Sequence, residues 1–580
     1  MNKQKHINFF CHEQFSDRLY IFNEGYSMVH RFTIGVIVGD DKAMVIDAGL
    51  GMTQGLRSYI ESVIGTDKPL LLACTNGRRD HVGSACQFED RYCSMKDIEI
   101  DEGRFDPIRR YMDFTDYCLT NPIDMEYCKA HMIYDNQCDF NNVTDGCRFD
   151  LGGVTVEAIA VAGVTPGSMA FYCAAEKACF TGDAINTDVW MLDADFDALQ
   201  KYAEAMDHFV ERVHPDTTVW PYHLPEPMEV QIAKNLAVIA RQICNRQVEL
   251  DPPCSSMFWP LMDNRNWRGH YFNNTCIVYD RSHFKFDLRF NSLNSCYYSH
   301  EKWSDRVYTI TINSGTVNRI TLMVFVGDEK ILCIDSGHGI DGKLVDYIKQ
   351  MTGKPHLPIA LACTHVGIDH AGGAIQFKEI YLHQNDINKL PMSRNRRLVD
   401  VQPFSNYCKE FEEYTTEYIL EPVYPSDCRA IHDGDLFELG GLNVECIFTP
   451  GHSDGHMAFY CASEKVCMTG DAMNVDTHLG GTTAQFYRDY ADMLQRFTQR
   501  VNPDTRLWAS HLNRPDTLRI PRNIRAACLE IADQINVECD CPAEAIQHHI
   551  GKFRNPGGRM HYHGINCVIY NSGFMSEQRR

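Results

Sequence analysis

Apolar and polar positions along the chain fall into two rhythms. GVIVG at 35–39 and AMVIDAG at 43–49 are short runs rich in β-branched and aliphatic residues, and they predict strands joined by a tight Gly39-Asp40-Asp41 turn. LRSYIESVIG then places Leu56, Tyr59, Ile60 and Val63 at helical spacing. The run LLLAC at 70–74 predicts a buried strand, followed by a helix-rich insertion to about residue 145. A second β series follows in LGGVTVEAIAV, MAFYCA and KACFTGD, and DALQKYAEAMDHFVERV predicts an amphipathic helix. Strands grouped in adjacent hairpins and followed by helices predict an α/β fold, a layered sandwich of sheets covered by helices.

The pattern occurs twice. HEQFSDRLYIF from His12 matches HEKWSDRVYTI from His300, and RFTIGVIVGDDKAMVIDAG from Arg31 matches RITLMVFVGDEKILCIDSG from Arg319, both displaced by 288 residues. SMAFYCAAEKACFTGDA and HMAFYCASEKVCMTGDA share that displacement, as do ERVHPDTTVWPYHLPEP and QRVNPDTRLWASHLNRP. Matches kept in one order define a tandem duplication. The boundary falls near residues 285–295, giving units at 1–288 and 289–580.

Composition narrows the class. With 580 residues, 44% apolar and 23% charged, the chain is typical of globular protein and too long for one core. A formal charge of −22 disfavours nucleic acid and anionic membrane as partners. No run is long and apolar enough for a signal peptide or a membrane span, so a cytoplasmic protein is expected. The 25 cysteines are an odd number, many within strand-like runs, and read as reduced and mostly buried thiols. Cys539 and Cys541 form C-x-C, without the paired C-x-x-C of a structural zinc site.

The candidate chemistry lies in loops that follow apolar runs. In the second half, the loop Thr364-His365-Val366-Gly367-Ile368-Asp369-His370 carries three metal-ligand side chains within six residues. His452 in TPGHSDG, Asp471 in MTGDA and His511 in WASH follow. Taken singly, each aspartate fits a loop or cap role and each histidine a core role; the ordered series favours a metal.

This series resembles that of the metallo-β-lactamase fold superfamily: T-H-x-H-x-D-H, then T-P-G-H, G-D and a late histidine. The resemblance covers both halves and implies two tandem αββα domains, metal ions and hydrolytic activity. In the family, one ion takes both H-x-H histidines and the T-P-G-H histidine. The other takes the Asp-His pair and the late histidine, and the G-D aspartate bridges the two. The resemblance thus gives the second half a complete second-ion set, Asp369, His370, Asp471 and His511, and a partial first-ion set, His365 and His452, with Gly367 in place of a histidine. His338, in DSGHG, is a candidate substitute ligand. In the first half Asn76 and Arg78 stand at the H-x-H positions and Val164 at the T-P-G-H histidine, while Asp80, His81, Asp183 and His223 retain the second-ion set. Asp47 and Asp335, in the DAG and DSG turns, resemble the fold's structural aspartates and are expected to support the ligand loop.

One dominant zinc ion per site is therefore expected, with iron or manganese as alternatives. The expected enzyme is a metallo-hydrolase acting on a small-molecule ester, lactone, thioester or amide. Metal-bound hydroxide would serve as nucleophile, and the second half would be the principal centre. Asp369 and Asp471 are its candidate catalytic carboxylates. Arg78 is a candidate catalytic cation, replacing the charge of a missing ion beside a substrate carboxylate or oxyanion, against the reading of a solvated loop arginine. A lyase, isomerase or iron redox enzyme on the same ligands is one alternative; non-catalytic binding or scaffold domains are another. His270-Tyr271 and His561-Tyr562 fit either pocket lining or packing, and the Arg394, Arg396 and Arg397 cluster reads as a solvated face. The walls of a substrate pocket would come from the divergent insertions at 85–145 and 377–433. Duplication implies a pseudo-dimer within one chain, compatible with further homo-oligomerisation.

Overall fold

The computed structural model describes residues 9–25, 31–65, 68–99, 106–110, 130, 132–134, 137–224, 226–245, 251, 267–280, 283, 298–312, 320–339, 342–390, 420, 422–512, 514–535, 537, 541–542 and 558–571. The expected boundary at 285–295, the arginines at 394, 396 and 397, and much of both insertions lie outside them.

Each half begins with a seven-stranded sheet whose strands lie in chain order, from Phe10–Gln14 to Asn141–Asn142 and from Tyr298–Lys302 to Cys428–Ile431. The first four strands of each are antiparallel, as the tight turn after Val38 allows, and the later ones run parallel. Both faces are buried, which explains the near-continuous apolar runs. Ile34, Val36, Val45 and Leu72 pack outward against Leu56 and Ile60 of the helix Leu56–Ile64. Ile37, Met44, Ile46 and Leu71 face inward onto Val156, Phe171, Phe180 and Trp220 of a second sheet.

That second sheet includes Thr155–Ala160, Met169–Cys173, Ala178–Gly182 and Thr218–Pro221. Two helices, Phe196–Arg212 and Gln231–Cys244, cover its outer face through Leu199, Tyr202, Met206, Leu236 and Ile239. The helix expected near Asp197 thus starts at Phe196, capped by Asp195, whose side chain accepts from Ala198 N at 2.9 Å. The second half repeats the layers with Leu344–Thr352 on one side and Ala484–Arg500 and Arg519–Asp533 on the other. The αββα order of layers is therefore present in both halves.

A third, small sheet in each half was not foreseen. Asp188–Met191 pairs in parallel with Thr275–Asp280, and Asp476–His478 with Asn566–Asn571. The hairpin at the end of the second half reaches across to the first: Arg31 Nη1 donates to Ile565 O at 2.7 Å, its Nη2 pairs with Asp476, and its guanidinium lies 4.9 Å from the Tyr562 ring centre. Glu13 Oε2 accepts from Arg519 and Asn523, both at 3.0 Å. The reciprocal contact joins Asn274, in the hairpin turn of the first half, to Thr309 and Thr311.

His270 is held by Asp251 at 2.7 Å and Gln242 at 3.0 Å, and His561 by Glu530 at 2.9 Å, so these pairs serve packing and the contact between halves. The cysteines whose thiols are described are free, and most are buried. Among the described residues no helix is long and apolar enough to cross a membrane.

Candidate metal centres

The second-half loop 364–370 leaves the strand Ile359–Ala362 and is fixed from beneath by Asp335. Asp335 Oδ1 accepts from Thr364 N at 2.7 Å, and its Oδ2 holds His370 Nδ1 at 2.9 Å. Asp335 does this from a left-handed backbone, φ +64°, matched by Asp47 at +68° in the first half, a conformation uncommon for any residue but glycine. The expected supporting role of both aspartates is thus visible in the geometry. With Nδ1 engaged, His370 directs Nε2 at Asp471 Oδ2, 3.3 Å away, and Asp369 Oδ2, 3.4 Å away. His511 Nε2 closes the set at 3.4 Å from Asp369 and 3.5 Å from Asp471.

One ligand atom from each of Asp369, His370, Asp471 and His511 falls within 4.8 Å of all the others. His365, His452 and Asp471 form a second such group, sharing the aspartate. Gly367 fits between: a Cβ there would lie 2.4 Å from His365 Nε2 and 2.7 Å from His370 Cδ2. His338 belongs to neither group. It is buried, and among the described residues it is not gathered with His365, His452 and Asp471 around the position of Gly367.

In the first half Asp80, His81 and His223 gather within 4.8 Å. Asp183 adjoins them, Oδ1 at 3.2 Å from His223 Nε2 and Oδ2 at 3.3 Å from His81 Nε2, but stands outside the tight group. Its Oδ2 is engaged instead by Arg78 Nη1 at 3.2 Å and Asn76 Nδ2 at 3.3 Å. His81 Nδ1 lies 3.2 Å from Asp47, repeating the support seen in the second half.

Electrostatics fit a cation. Burial works against charge at His511 and His223, yet the adjoining aspartates push them up to about 10 and about 9. Asp369 and Asp471 sit well below the usual carboxylate range, the neighbouring histidines overcoming burial. His365 is driven well below its usual value by burial and by His370 and His452, which keeps its imidazole neutral and available as a ligand. Among the described residues His370 Nε2 is buried without a hydrogen-bond partner, as a ligand nitrogen awaiting an ion would be. Nitrogen and carboxylate donors of this kind suit a metal ion of the zinc, iron or manganese type.

Three positioning residues escaped the sequence reading. Asp386 Oδ2 accepts from Val366 N at 2.9 Å and Ser453 Oγ at 3.0 Å, and its Oδ1 from Gly455 N at 3.1 Å, tying the His365 loop to the His452 loop. Asp97 repeats this through Gly77 N, Thr165 Oγ1 and Gly167 N. The Asp-Ile pairs at 97–98 and 386–387, placed alike within divergent insertions, were the available signal. His456 stacks on His365 at 5.2 Å and accepts from Asp471 N at 3.2 Å; Ser168 takes its place in the first half.

Fold and donor sets define a class, an αββα protein with metal centres at its strand ends. Residues 316–507 match the family model described as the metallo-beta-lactamase superfamily. The acyl-coenzyme A thioesterase MBLAC2 of Gallus gallus is 25% identical over 193 residues, 32% of this chain and 69% of that protein. The probable metallo-hydrolase YqgX of Bacillus subtilis (strain 168) is 29% identical over 153 residues, 26% of this chain and 63% of that protein. A solved metallo-beta-lactamase family protein of Thermus thermophilus is 20% identical, covering 40% of this chain and 80% of its own, with a TM-score of 0.27. Residues 316–507 thus match the metallo-beta-lactamase superfamily, and the relatives are named as a thioesterase and a probable metallo-hydrolase, which supports a metallo-hydrolase.

Proposed function

We propose that the chain hydrolyses a small-molecule ester, lactone, thioester or amide with zinc, and that residues 289–580 form the principal active unit of a pseudo-dimer with residues 1–288. The observation that carries this reading is that, among the described residues, two donor groups are joined through one aspartate, Asp471, only in the second half. Thioesters are the favoured substrates, because relatives of the chain are named an acyl-coenzyme A thioesterase and a hydroxyacylglutathione hydrolase-like protein. A cytoplasmic setting accords with the free thiols.

When bound, the ion supplies Lewis-acid activation of water and of the scissile carbonyl. Asp369, His370, Asp471 and His511 would hold it, with Asp335 fixing the His370 ring. Asp369, whose side chain is 25% exposed, would take the proton of the attacking water. Asp471 spans both donor groups and sets their spacing. Metal content and thioester turnover measured in Asp471→Asn and Asp183→Asn chains test the assignment. Turnover should collapse in the first variant; collapse in the second alone would reverse the roles of the halves.

A further inference from the structure

We propose that in the first half the Arg78 guanidinium takes the place of a second ion, so that one ion and this fixed cation together receive a small oxyanion, a carboxylate or phosphate group. The inference rests on the reading that the Asp80, His81, Asp183 and His223 set binds an ion.

The two halves can be compared position by position. Val164, Arg78, Asn76 and Asp183 correspond to His452, Gly367, His365 and Asp471. In the second half His452 Nε2 approaches Asp471 Oδ2 to 3.6 Å, two donors facing a common point. In the first half the guanidinium spans the same two positions, with Nη1 3.2 Å from Asp183 Oδ2 and Nη2 3.4 Å from Val164 O. Asn76 Nδ2 at 3.3 Å and His81 Nε2 at 3.3 Å also crowd that oxygen. With N–H groups of Arg78 and Asn76 donating to it, the oxygen that would bridge two ions is committed to those two residues, and His81 Nε2 is left to the single ion.

The substitution also changes the charge. Asp47, Asp80 and Asp183 have counterparts in Asp335, Asp369 and Asp471, so at equal ion loading the first centre is one unit more positive than the second. The Arg78 side chain is 46% exposed, and a guanidinium carries five N–H donors in a planar fork suited to bidentate oxyanions. Its hydrogen bonds to Asp183 and Val164 use one N–H of each terminal nitrogen, and with the side chain half exposed the remaining N–H groups are open to a ligand.

The experiment uses the full chain with the second donor set disabled by Asp369→Asn and His511→Asn. The protein is loaded with zinc, freed of excess metal, and titrated with inorganic phosphate in a calorimeter. The expected result is one zinc per chain, with phosphate affinity falling roughly tenfold or more in Arg78→Ala and partly recovered in Arg78→Lys, a point charge without the fork. Zinc content should remain at one in both variants. If Arg78→Ala does not retain zinc, Arg78→Gln, which keeps length and hydrogen bonding without charge, replaces it. Unchanged phosphate affinity, or two zinc ions in the first half, overturns the proposal while leaving the ion set standing. No zinc in the first half overturns the reading beneath it.

Discussion

At the scale of single residues, the centres depend on two buried aspartates, Asp335 and Asp47, that stand behind their ligand histidines. Asp335 combines a left-handed backbone with a carboxylate that holds both Thr364 and His370. Asparagine tolerates that backbone, so Asp335→Asn removes the charge behind His370 with little added strain. Zinc affinity of the second half should fall about 10- to 100-fold, the usual loss when a ligand histidine loses its carboxylate. Competition against a chromophoric chelator measures it, and unchanged affinity would discard Asp335 as the orienting group. A second expectation concerns protons. His511 and His223 are held protonated to about pH 10 and about pH 9 by their aspartates, so an ion must displace those protons. Apparent zinc affinity should therefore weaken steadily from pH 8 to pH 6; equal affinities at the two values would contradict this.

At the scale of elements, the strands and their burial were legible because side-chain alternation records both faces: Ile34 and Val36 turn outward, Ile37 and Met44 inward. The helix Leu56–Ile64 was legible from its spacing, and the ligand loops from their residue types. The pairing of Asp188–Met191 with Thr275–Asp280 was not, since a parallel pair between distant segments leaves no local period. Asp97 and Asp386 were missed for a related reason: most of their partners are backbone N–H groups, which every sequence contains. Asp386→Ala would leave the N–H groups of Val366 and Gly455 and the Ser453 hydroxyl without their acceptor. A buried donor left so, as Gly455 N would be, costs about 1–3 kcal/mol, and the two part-buried ones cost less. The expected outcome is a lower Tm together with loss of any second zinc from the second half; a stable variant with unaltered zinc content would show that the two loops hold their places unaided.

At the scale of the whole molecule, the halves are tied by buried charge. Arg31 is almost wholly buried against Asp476, and burial raises Asp476 to about 6 even with the guanidinium beside it. Arg31→Met leaves that carboxylate unpaired and should destabilise the chain by about 3–5 kcal/mol in urea denaturation, whereas Arg31→Met with Asp476→Leu should recover most of the loss. A double variant no more stable than the single one would deny the coupling. Nearby Glu226 is pushed up to about 8, chiefly by burial, with Asp516 and Asp476 adding to it and Arg31 and Arg519 opposing. A raised carboxyl stabilises the folded chain fully below its ordinary value of 4.5 and loses that contribution as pH climbs to about 8. Glu226→Gln should thus raise Tm at pH 8.5 and change it little at pH 5; a pH-independent effect would assign the residue to packing alone. The strand pinned by Arg31 runs from Asp476 to His478, whose carbonyl lies 3.2 Å from His452 Nδ1. Through that strand, damage to the scaffold of the first half is expected to reach the seat of His452 in the second, so neither unit can be softened without loosening the other.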